Sequence, residues 1–168
     1  MSRSIEVAPK RHLGQYFLRD NGVLDRIVRI IQPAPQDVIL EIGAGRGALS
    51  GRLASRAAHL LAVEIDPDCL GALEEVLAPY PQAAILNKDI MKLDIGGVIQ
   101  PYLDQGLSAR VVGNLPYYLA TAIIGHLLHS ALALRDLHFL VQLEVAERIT
   151  SAPGRREYGY FTVLCQHL

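Results

Sequence analysis

The chain has 168 residues, of which 51% are apolar and 20% are charged, a composition typical of one globular domain and not of a disordered segment. It holds no run of 18 apolar residues and no apolar region near its N-terminus, which argues against a membrane span and a secretion signal. The net charge of −1 argues against a uniformly basic nucleic-acid-binding protein, so any such contact needs local clusters, such as Lys10-Arg11-His12 and Arg155-Arg156, or residues outside this chain. Either cluster can equally be an ordinary solvated surface.

The N-terminal 20 residues have mixed polarity and no periodicity, yet residues 13–18 include two leucines, a tyrosine and a phenylalanine. A purely solvated arm rarely holds so many large apolar side chains. We therefore predict that residues 1–20 form an arm that closes over a pocket and that residues 21–168 form one domain. Its first helix begins behind Asn21, the predicted N-cap, and ends before Pro33.

A strand over residues 38–42, apolar except for Glu41, runs into Gly43-Ala44-Gly45-Arg46-Gly47. Glycines allow a tight turn, and the helix predicted over residues 48–57 presents free N–H groups at its start. Such turns serve many nucleotide cofactors, and some serve none. The G-x-G-x-G spacing differs from the G-x-G-x-x-G of dinucleotide-binding proteins, which favours S-adenosylmethionine (SAM) over NAD.

The second strand, over residues 60–65, ends in Glu64 and Ile65, about 20 residues after the glycines. A carboxylate at this point can accept both ribose hydroxyls of an adenosine, and Glu64 is the predicted acceptor. Asp66 precedes Pro67 and is better explained as the N-cap of the next helix, over residues 68–77.

The third strand, over residues 83–86, is placed beside the first and is followed by Asp89 and Ile90. Here a carboxylate can accept from an adenine N6 while Ile90 covers the ring. An exposed aspartate after a strand is also commonly a simple turn residue, so this prediction has a structural alternative.

The fourth strand, over residues 110–113, leads into Asn114-Leu115-Pro116-Tyr117. The Asn114 carboxamide and the Leu115 carbonyl can both accept from the amino group of a flat base, and Tyr117 can stack on its ring. Pro116 fixes φ and stiffens the turn. The tetrapeptide alone is equally compatible with a turn that holds a half-buried tyrosine.

The remaining elements are helices over residues 98–103 and 119–133, a fifth strand over residues 137–143 with Gln142 and Glu144 at its end, a helix from residue 145, and a last apolar segment, 158–168. Five strands that alternate with helices predict an α/β fold with a doubly wound, mostly parallel, Rossmann-like sheet. Candidate functional residues follow strands 1 to 4 in turn, and such sheets place their sites at those strand ends.

Cysteine and histidine spacings do not indicate a metal site. Cys69 and Cys165 stand alone, which favours two reduced thiols in a cytoplasmic protein. His126 and His129 lie three residues apart on a predicted helix, but no carboxylate or third histidine follows at ligand spacing. We therefore predict that no metal is bound.

Several motifs follow one another along nearly the whole chain: Gly14-Gln15-Tyr16-Phe17-Leu18, Glu41-Ile42-Gly43-Ala44-Gly45-Arg46-Gly47, Glu64-Ile65-Asp66, Asp89, Asn114-Leu115-Pro116-Tyr117, Gln142-x-Glu144-Val145 and Tyr158-Gly159. In this order they resemble the ribosomal RNA adenine N6,N6-dimethyltransferases, the small-subunit dimethylase family related to the erythromycin-resistance rRNA methylases. The opening motif and Asn-Leu-Pro-Tyr are its most specific parts.

The resemblance implies a class I SAM-dependent methyltransferase fold. It implies an enzyme of ribosome biogenesis that adds two methyl groups to each of two adjacent adenines near the 3′ end of small-subunit rRNA. Its partner would be the pre-ribosomal 30S particle, and the full-length protein would be a cytoplasmic monomer without a membrane contact.

The resemblance also implies roles by position. Tyr16 and Leu18 border the methionine part of the cofactor, and the Gly43 to Gly45 turn lies against it. Glu64 takes the ribose and Asp89 takes the adenine. Asn114 contacts both the cofactor and the target amine, while Phe17 and Tyr117 hold the flipped base.

Three departures from the family pattern affect these expectations. Tyr16 stands where the family often has Asn or His, and Leu143 stands where a Lys is frequent. The family continues with two further strands and a small helical domain that helps to bind RNA, so the chain is predicted to be a C-terminally truncated product.

Other functions fit parts of the pattern. A DNA adenine-N6 methyltransferase shares the fold and a similar Asn-x-Pro-Tyr, although Leu115 and the Gly-Gln-x-Phe-Leu opening favour RNA. A non-catalytic ribosome-assembly or nucleic-acid-binding protein would keep the fold but not the turnover, which the intact Asn114, Tyr117 and Glu64 argue against. An NAD-dependent oxidoreductase would leave Asn-Leu-Pro-Tyr unexplained.

Overall fold

The computed structural model describes residues 18, 20–130 and 132–167. In this part of the chain five strands alternate with α-helices. The strands are β1 (Asp37–Ile42), β2 (His59–Val63), β3 (Ala83–Leu86), β4 (Ser108–Asn114) and β5 (Leu134–Leu140). The helices are α1 (Asn21–Ile31), α2 (Ser50–Ala54), α3 (Pro67–Leu77), α4 (Ile95–Leu103), α5 (Ala120–His129), α6 (Leu143–Ile149) and α7 (Tyr160–His167), with a 3-10 turn at Ile90–Lys92.

All five strands are parallel and lie in the order β3-β2-β1-β4-β5. The chain therefore reverses its direction of winding between β1 and β4, and the carboxyl ends of these two strands form the crevice where such sheets bind ligands. This confirms the predicted doubly wound sheet. The placement of the third strand beside the first was wrong, because β3 pairs with β2.

Helices cover both faces of the sheet, which explains why its central strands are apolar without alternation. On one face, buried residues of α1, α2 and α3 pack with Ile39 and Leu60. On the other, α4 and α5 pack with Val38, Leu40 and Val111. Two cores therefore fix the central strands, and with them the residues that follow each strand.

The edge of the sheet at the amino ends of the strands is held by Arg110, which is only 4% exposed. Its guanidinium pairs with Asp37 at 2.9 Å and with Asp136 at 2.8 Å, and it donates to the Ile31 and Gln32 carbonyls at the end of α1. Hydrogen bonding to Asp136 is the main cause of a raised pKa for Arg110, although burial opposes it. Arg110 therefore ties α1, β1, β4 and β5 together at the edge opposite the candidate site.

Several predicted helix boundaries differ from the structure: α4 begins at Ile95 instead of residue 98, and α6 begins at Leu143 instead of residue 145. Three further differences have a local cause. Asp20, not Asn21, caps α1, because its carboxylate accepts from the Val23 N–H at 3.1 Å. The second helix is shorter than the predicted 48–57, because the glycine turn continues until α2 begins at Ser50. The predicted helix over residues 119–133 ends at His129, where the Ser130 hydroxyl donates to the Leu127 carbonyl.

The fifth strand was predicted three residues too late, at 137–143 instead of Leu134–Leu140. The second and third residues of β5, Arg135 and Asp136, are charged, so the sequence did not indicate a buried strand there. Both residues form ion pairs at the amino edge of the sheet. Gln142 is consequently the residue before α6, and Glu144 lies in the first turn of that helix, not at the end of a strand.

Candidate active site at the carboxyl edge of the sheet

The glycine turn after β1 bends back over the end of β2. The N–H groups of Gly43 and Ala44 both donate to the Val63 carbonyl, at 2.9 and 3.1 Å. Gly43 and Gly45 have φ of 72° and 55°, a region that glycine enters without the strain that a side chain would cause. The turn thus holds the backbone close to the end of β2 and leaves room above it.

Glu64 is locked in place by the backbone on either side of it. One carboxylate oxygen accepts from the Gly45 N–H at 2.7 Å, and the other accepts from the Asp66 N–H at 2.8 Å. The residue is only 5% exposed, yet it lines the main cavity. A carboxylate has about four acceptor positions, so this one retains capacity for two further donors.

The residues after β2 and β3 act as caps as well as cavity walls. Asp66 caps α3 and accepts from the Asp68 N–H at 3.1 Å, with Pro67 at the first helical position, as predicted. Asp89 accepts from the Met91 N–H at 3.0 Å and also lines the cavity. The turn role proposed as the alternative for Asp89 is therefore real, and it does not remove the carboxylate from the site.

β4 ends at Asn114, the first residue of the motif, and the rest of the motif leads towards α5. The Leu115 N–H donates to the Leu140 carbonyl at 3.0 Å, and the Pro116 carbonyl accepts from the Leu119 and Ala120 N–H groups. Within the described residues no N–H donates to the Leu115 carbonyl. Tyr117 is 53% exposed. The turn is therefore anchored by its neighbours, with the buried Leu115 in the cavity wall and the Tyr117 ring exposed.

These elements enclose a cavity of about 410 Å³. Ten of the predicted site residues line it: Gly43, Gly45, Glu64, Ile65, Asp89, Ile90, Asn114, Leu115, Pro116 and Tyr117. Leu18 lines a smaller adjoining cavity of about 250 Å³, which shares Gly43, Gly45, Asn114 and Leu140 with the first. Tyr16 and Phe17 lie outside the described residues, as do the other residues of the predicted closing arm except Leu18 and Asp20.

The cavity also contains residues that were not predicted: Lys88, Tyr118, Leu119, Ile123, Leu140 and Val141 among them. Tyr118 is 54% exposed and directly follows Tyr117, so the neighbouring motif was a usable signal. The contribution of β5 was missed because the strand was placed three residues too late.

Glu41 is a second buried carboxylate near this site. It is 3% exposed, lines the smaller cavity, and its Oε2 atom has no hydrogen-bond partner among the described residues. Burial raises the pKa of Glu41 to about 8; the Ser50 hydroxyl opposes this rise and the negative charge of Glu64 adds to it. Glu41 is therefore mostly protonated at neutral pH. The sequence marked it only as the polar residue of an apolar strand.

No group of three or more potential metal ligands occurs among the described residues, and none of the described helices is long and apolar enough to cross a membrane. Cys69 is buried, Cys165 is partly buried, and no disulfide joins them.

A family model described as ribosomal RNA adenine dimethylase matches residues 8–168 of this chain. The chain belongs to the ribosomal RNA adenine dimethylase family. The match covers both cavities and their surrounding strands, so the residues assembled at the carboxyl edge are those of a family member.

Curated relatives support this assignment. The chain is 38% identical to ribosomal RNA small subunit methyltransferase A of Pediococcus pentosaceus, over 96% of this chain and 54% of that protein. It is 41% identical to the protein of the same name from Bacillus cytotoxicus, over 94% of this chain and 54% of that protein. The chain therefore spans about half the length of the curated relatives it matches.

Solved structures show the same fold. A dimethyladenosine transferase from Plasmodium falciparum matches with a TM-score of 0.78 at 22% identity, over 90% of this chain and 52% of that one. The 23S rRNA methyltransferase ErmE matches with a TM-score of 0.73 at 29% identity, over 88% and 56%. An RNA methyltransferase from Salinibacter ruber, solved with S-adenosyl-L-homocysteine, matches with a TM-score of 0.60 at 17% identity, over 83% and 84%. The fold is that of the class I SAM-dependent methyltransferases.

Proposed function

We propose that this chain contains the SAM-binding and methyl-transferring part of an enzyme that methylates the N6 of two adjacent adenines in small-subunit ribosomal RNA. The observation that carries this proposal is the position of Asn114-Leu115-Pro116-Tyr117. The motif lies at the end of β4 and shares one cavity with Glu64 and Asp89, which follow the neighbouring strands. A family member with this arrangement has two carboxylates that can accept hydrogen bonds from the adenosine of the cofactor. It also has a carboxamide, a carbonyl and an aromatic ring that can bind a second, flat base.

SAM would be held between the glycine turn, Glu64 and Asp89. Glu64 would accept hydrogen bonds from the two ribose hydroxyls and Asp89 from the adenine N6, while Ile65 and Ile90 would contact the ring. Gly43, Gly45 and Leu18 would border the methionine part. SAM supplies the activated methyl group when bound.

The target adenine enters beside Asn114 and Tyr117. Its N6 lone pair is delocalised into the ring, which makes the amine a poor nucleophile. Acceptance of its protons by the Asn114 side chain and the Leu115 carbonyl favours a pyramidal amine, and such contacts are strongest in the transition state. Tyr117 holds the flipped base by stacking, and Pro116 keeps the turn rigid.

This arrangement needs no strong general base. Asn114 and Leu115 would hold the amine towards the methyl group that SAM would supply, so positioning would provide much of the rate. The new N–C bond would replace the S–C bond of the donor, and the methylated amine would then release its extra proton to water. A second transfer requires that the monomethylated amine rotates in the cavity. Leu18 and Tyr117 border the space in which it would turn.

The RNA substrate is inferred from the family and from the names of the curated relatives, which refer to the small ribosomal subunit. The pre-ribosomal 30S particle is the proposed partner of the whole protein, which we propose acts as a monomer in the cytoplasm.

Two measurements test the proposal. Calorimetric titration should show binding of SAM but not of NAD. Transfer of labelled methyl groups should be detected on small-subunit rRNA and not on duplex DNA. SAM binding without transfer to either nucleic acid, in a chain extended to the length of the relatives, would favour a non-catalytic assembly protein. Transfer to DNA alone would replace the proposed substrate.

A further inference from the structure

The net charge of −1 conceals an uneven distribution of charge along the chain. Residues 20–58 contain five arginines, no lysine and four acidic residues, whereas residues 59–107 contain eight acidic residues and only two lysines. The arginines of the first group belong to α1, α2 and the turn and loop that flank α2. Cations are therefore concentrated on one part of the face that carries α1, α2 and α3.

Three of these residues, Arg46, Arg52 and Arg56, line one shallow depression of about 430 Å³; we call them the arginine patch. Tyr80, just beyond α3, lines the depression as well. The other lining residues are Gly47, Ala48, Gly51, Ser55 and Val76, and the described lining contains no acidic side chain. A concave surface with three guanidinium groups and one aromatic ring is complementary to a nucleic-acid backbone.

The arginine patch is partly ordered by contacts within the protein. Arg52 donates to Asp25 at 3.1 Å, to Asn21 at 2.8 Å and to the Ala48 carbonyl at 2.7 Å, which fixes it between α1 and α2. Arg56 donates to the Arg52 carbonyl at 2.8 Å. A guanidinium has five N–H donors, so both side chains keep donors for an outside acceptor.

Arg46 connects the patch to the candidate active site. It forms no ion pair and no hydrogen bond with any described residue, and it lines both the depression and the smaller cavity. That cavity shares Gly43, Gly45 and Asn114 with the main cavity. The depression therefore adjoins the candidate active site at Arg46.

We propose that the arginine patch binds backbone phosphates of the RNA strand that carries the target adenine, next to the flipped base. This inference rests on the proposed function and adds a substrate-binding surface to it. Arginine suits the role because its planar fork of donors matches two phosphate oxygens at once. Tyr80 contributes a stacking surface for a neighbouring base or ribose.

The test compares two double variants that each remove two positive charges, R46A/R56A and the matched control R155A/R156A. The probe is a labelled RNA hairpin with two adjacent adenines in its loop, and its affinity for each 168-residue variant is measured over a series of salt concentrations. The logarithm of the binding constant falls linearly with the logarithm of the salt concentration, and each lost phosphate contact reduces the steepness of this fall by about 0.7 to 0.9. R46A/R56A should therefore reduce the slope by roughly 1.5 and weaken binding several-fold at low salt, and R155A/R156A should change both far less.

Equal effects of the two double variants, or none from R46A/R56A, would reject the patch as a specific surface. Absence of RNA binding by the unaltered chain at about 50 mM salt would reject it as well. A loss seen only with duplex DNA of the same length would assign the patch to another nucleic acid. SAM titration of the unaltered chain and of Arg56→Ala, whose residue lines neither cavity of the candidate site, keeps this test separate from the proposed function. The patch predicts unchanged SAM affinity for Arg56→Ala, whereas failure of the unaltered chain to bind SAM contradicts the enzyme.

Discussion

At the scale of single residues, Glu64 joins the glycine turn to the cofactor site, because its two carboxylate oxygens hold the Gly45 and Asp66 N–H groups. We expect Glu64→Ala to weaken SAM binding by about 1.5 to 3 kcal/mol, since it removes a charge-assisted acceptor from two ribose hydroxyls. Calorimetric titration measures the change. Glu64→Gln, which keeps the size of the side chain, serves as the matched variant and should also weaken binding.

The structure adds a second expectation for Glu64→Ala. Loss of the carboxylate leaves two backbone donors without their present acceptors, so thermal stability should fall in the absence of SAM as well. An unchanged dissociation constant in both variants would remove Glu64 from the ribose-binding role, whatever happens to stability.

Asn114 ends β4 with its side chain exposed at the cavity. We expect Asn114→Ala, in a chain of the relatives' full length, to lower the rate of methyl transfer by roughly 100-fold or more, because an acceptor that acts in the transition state is lost. The unfolding temperature should change little, since an exposed strand-end side chain contributes little packing. Single-turnover transfer at saturating SAM measures the effect. Normal turnover would contradict the acceptor mechanism.

Glu41 should make the stability of the chain depend on pH. Its pKa is raised to about 8 in the folded state from an ordinary value of 4.5, so the folded state binds more protons than the unfolded state between these two values. The free energy of unfolding should therefore fall as the pH rises through this window, by on the order of a few kcal/mol, and level off above it.

Glu41→Gln provides the comparison for that pH dependence, because the amide stays neutral. Denaturant unfolding at several values between pH 5 and pH 9 should give a flatter profile for the variant than for the unaltered chain. Parallel profiles would show that Glu41 does not titrate in this window.

At the scale of secondary-structure elements, β1 and β4 approach each other closely at Gly113, which pairs with Ile42. A Cβ atom built at this residue would lie 2.8 Å from the Ile42 carbonyl oxygen, a backbone atom that cannot move aside freely. We expect Gly113→Ala to lower stability by about 1 to 3 kcal/mol and to reduce methyl transfer, because it displaces the Asn114 that follows. Chemical denaturation and single-turnover transfer measure the two effects.

Gly125→Ala is the control for that variant. Gly125 lies within α5 and a Cβ there would meet no atom within 4 Å, so alanine should be neutral or stabilise the helix by up to about 1 kcal/mol. Equal losses in the two variants would show that the close approach at Gly113 has no special importance.

Local sequence features predict some elements of this fold better than others. The sequence bounds of the third strand, Ala83–Leu86, were predicted correctly although its place in the sheet was not, and Asp66 was identified as the cap of α3, because both depend on local chemistry. The bounds of β5 were predicted wrongly because the charge of Asp136 near its start is paired with Arg110, which lies 26 residues away in sequence. The cavity walls that β5 contributes were missed for the same reason.

Much of the candidate site was predictable because it depends only on the parallel arrangement of the strands. Parallel strands bring their carboxyl ends to one edge, so motifs that follow β1, β2, β3 and β4 meet there without any knowledge of side-chain contacts. The arginine patch was not predictable in this way. Arg46, Arg52 and Arg56 are separated by polar and apolar residues, and their common surface depends on how α2 packs against α1 and α3.

At the scale of the whole molecule, cofactor binding and RNA binding depend on different parts of the protein. Apart from Leu18, the cavity residues assigned to the cofactor lie at the strand ends described above, so we expect the 168-residue chain to bind SAM. We expect weak RNA binding and inefficient dimethylation, because the net charge is −1 and the curated relatives are about twice as long. The absence of three to five phosphate contacts would cost on the order of several kcal/mol at physiological salt.

Equilibrium binding of SAM and rRNA, with sedimentation to report size, tests both halves of this prediction. β5 is an edge strand of the described sheet, and Tyr160 and Val163 on α7 are exposed, so sedimentation should also detect self-association. Tight rRNA binding by a stable monomer that dimethylates efficiently would contradict this prediction.

The central position of β1 also affects how the chain forms during synthesis. Val38 of β1 pairs with Ala109 of β4, so the second partner strand of β1 is synthesised 71 residues later. At roughly 5 to 20 residues per second, the ribosome needs about 4 to 14 seconds to supply that partner. During this interval β1, β2 and β3 can pair, but the other edge of β1 has no strand beside it. A chaperone that shields apolar strand edges should therefore act on the nascent chain before Ser108 emerges and release it once β4 has joined the sheet.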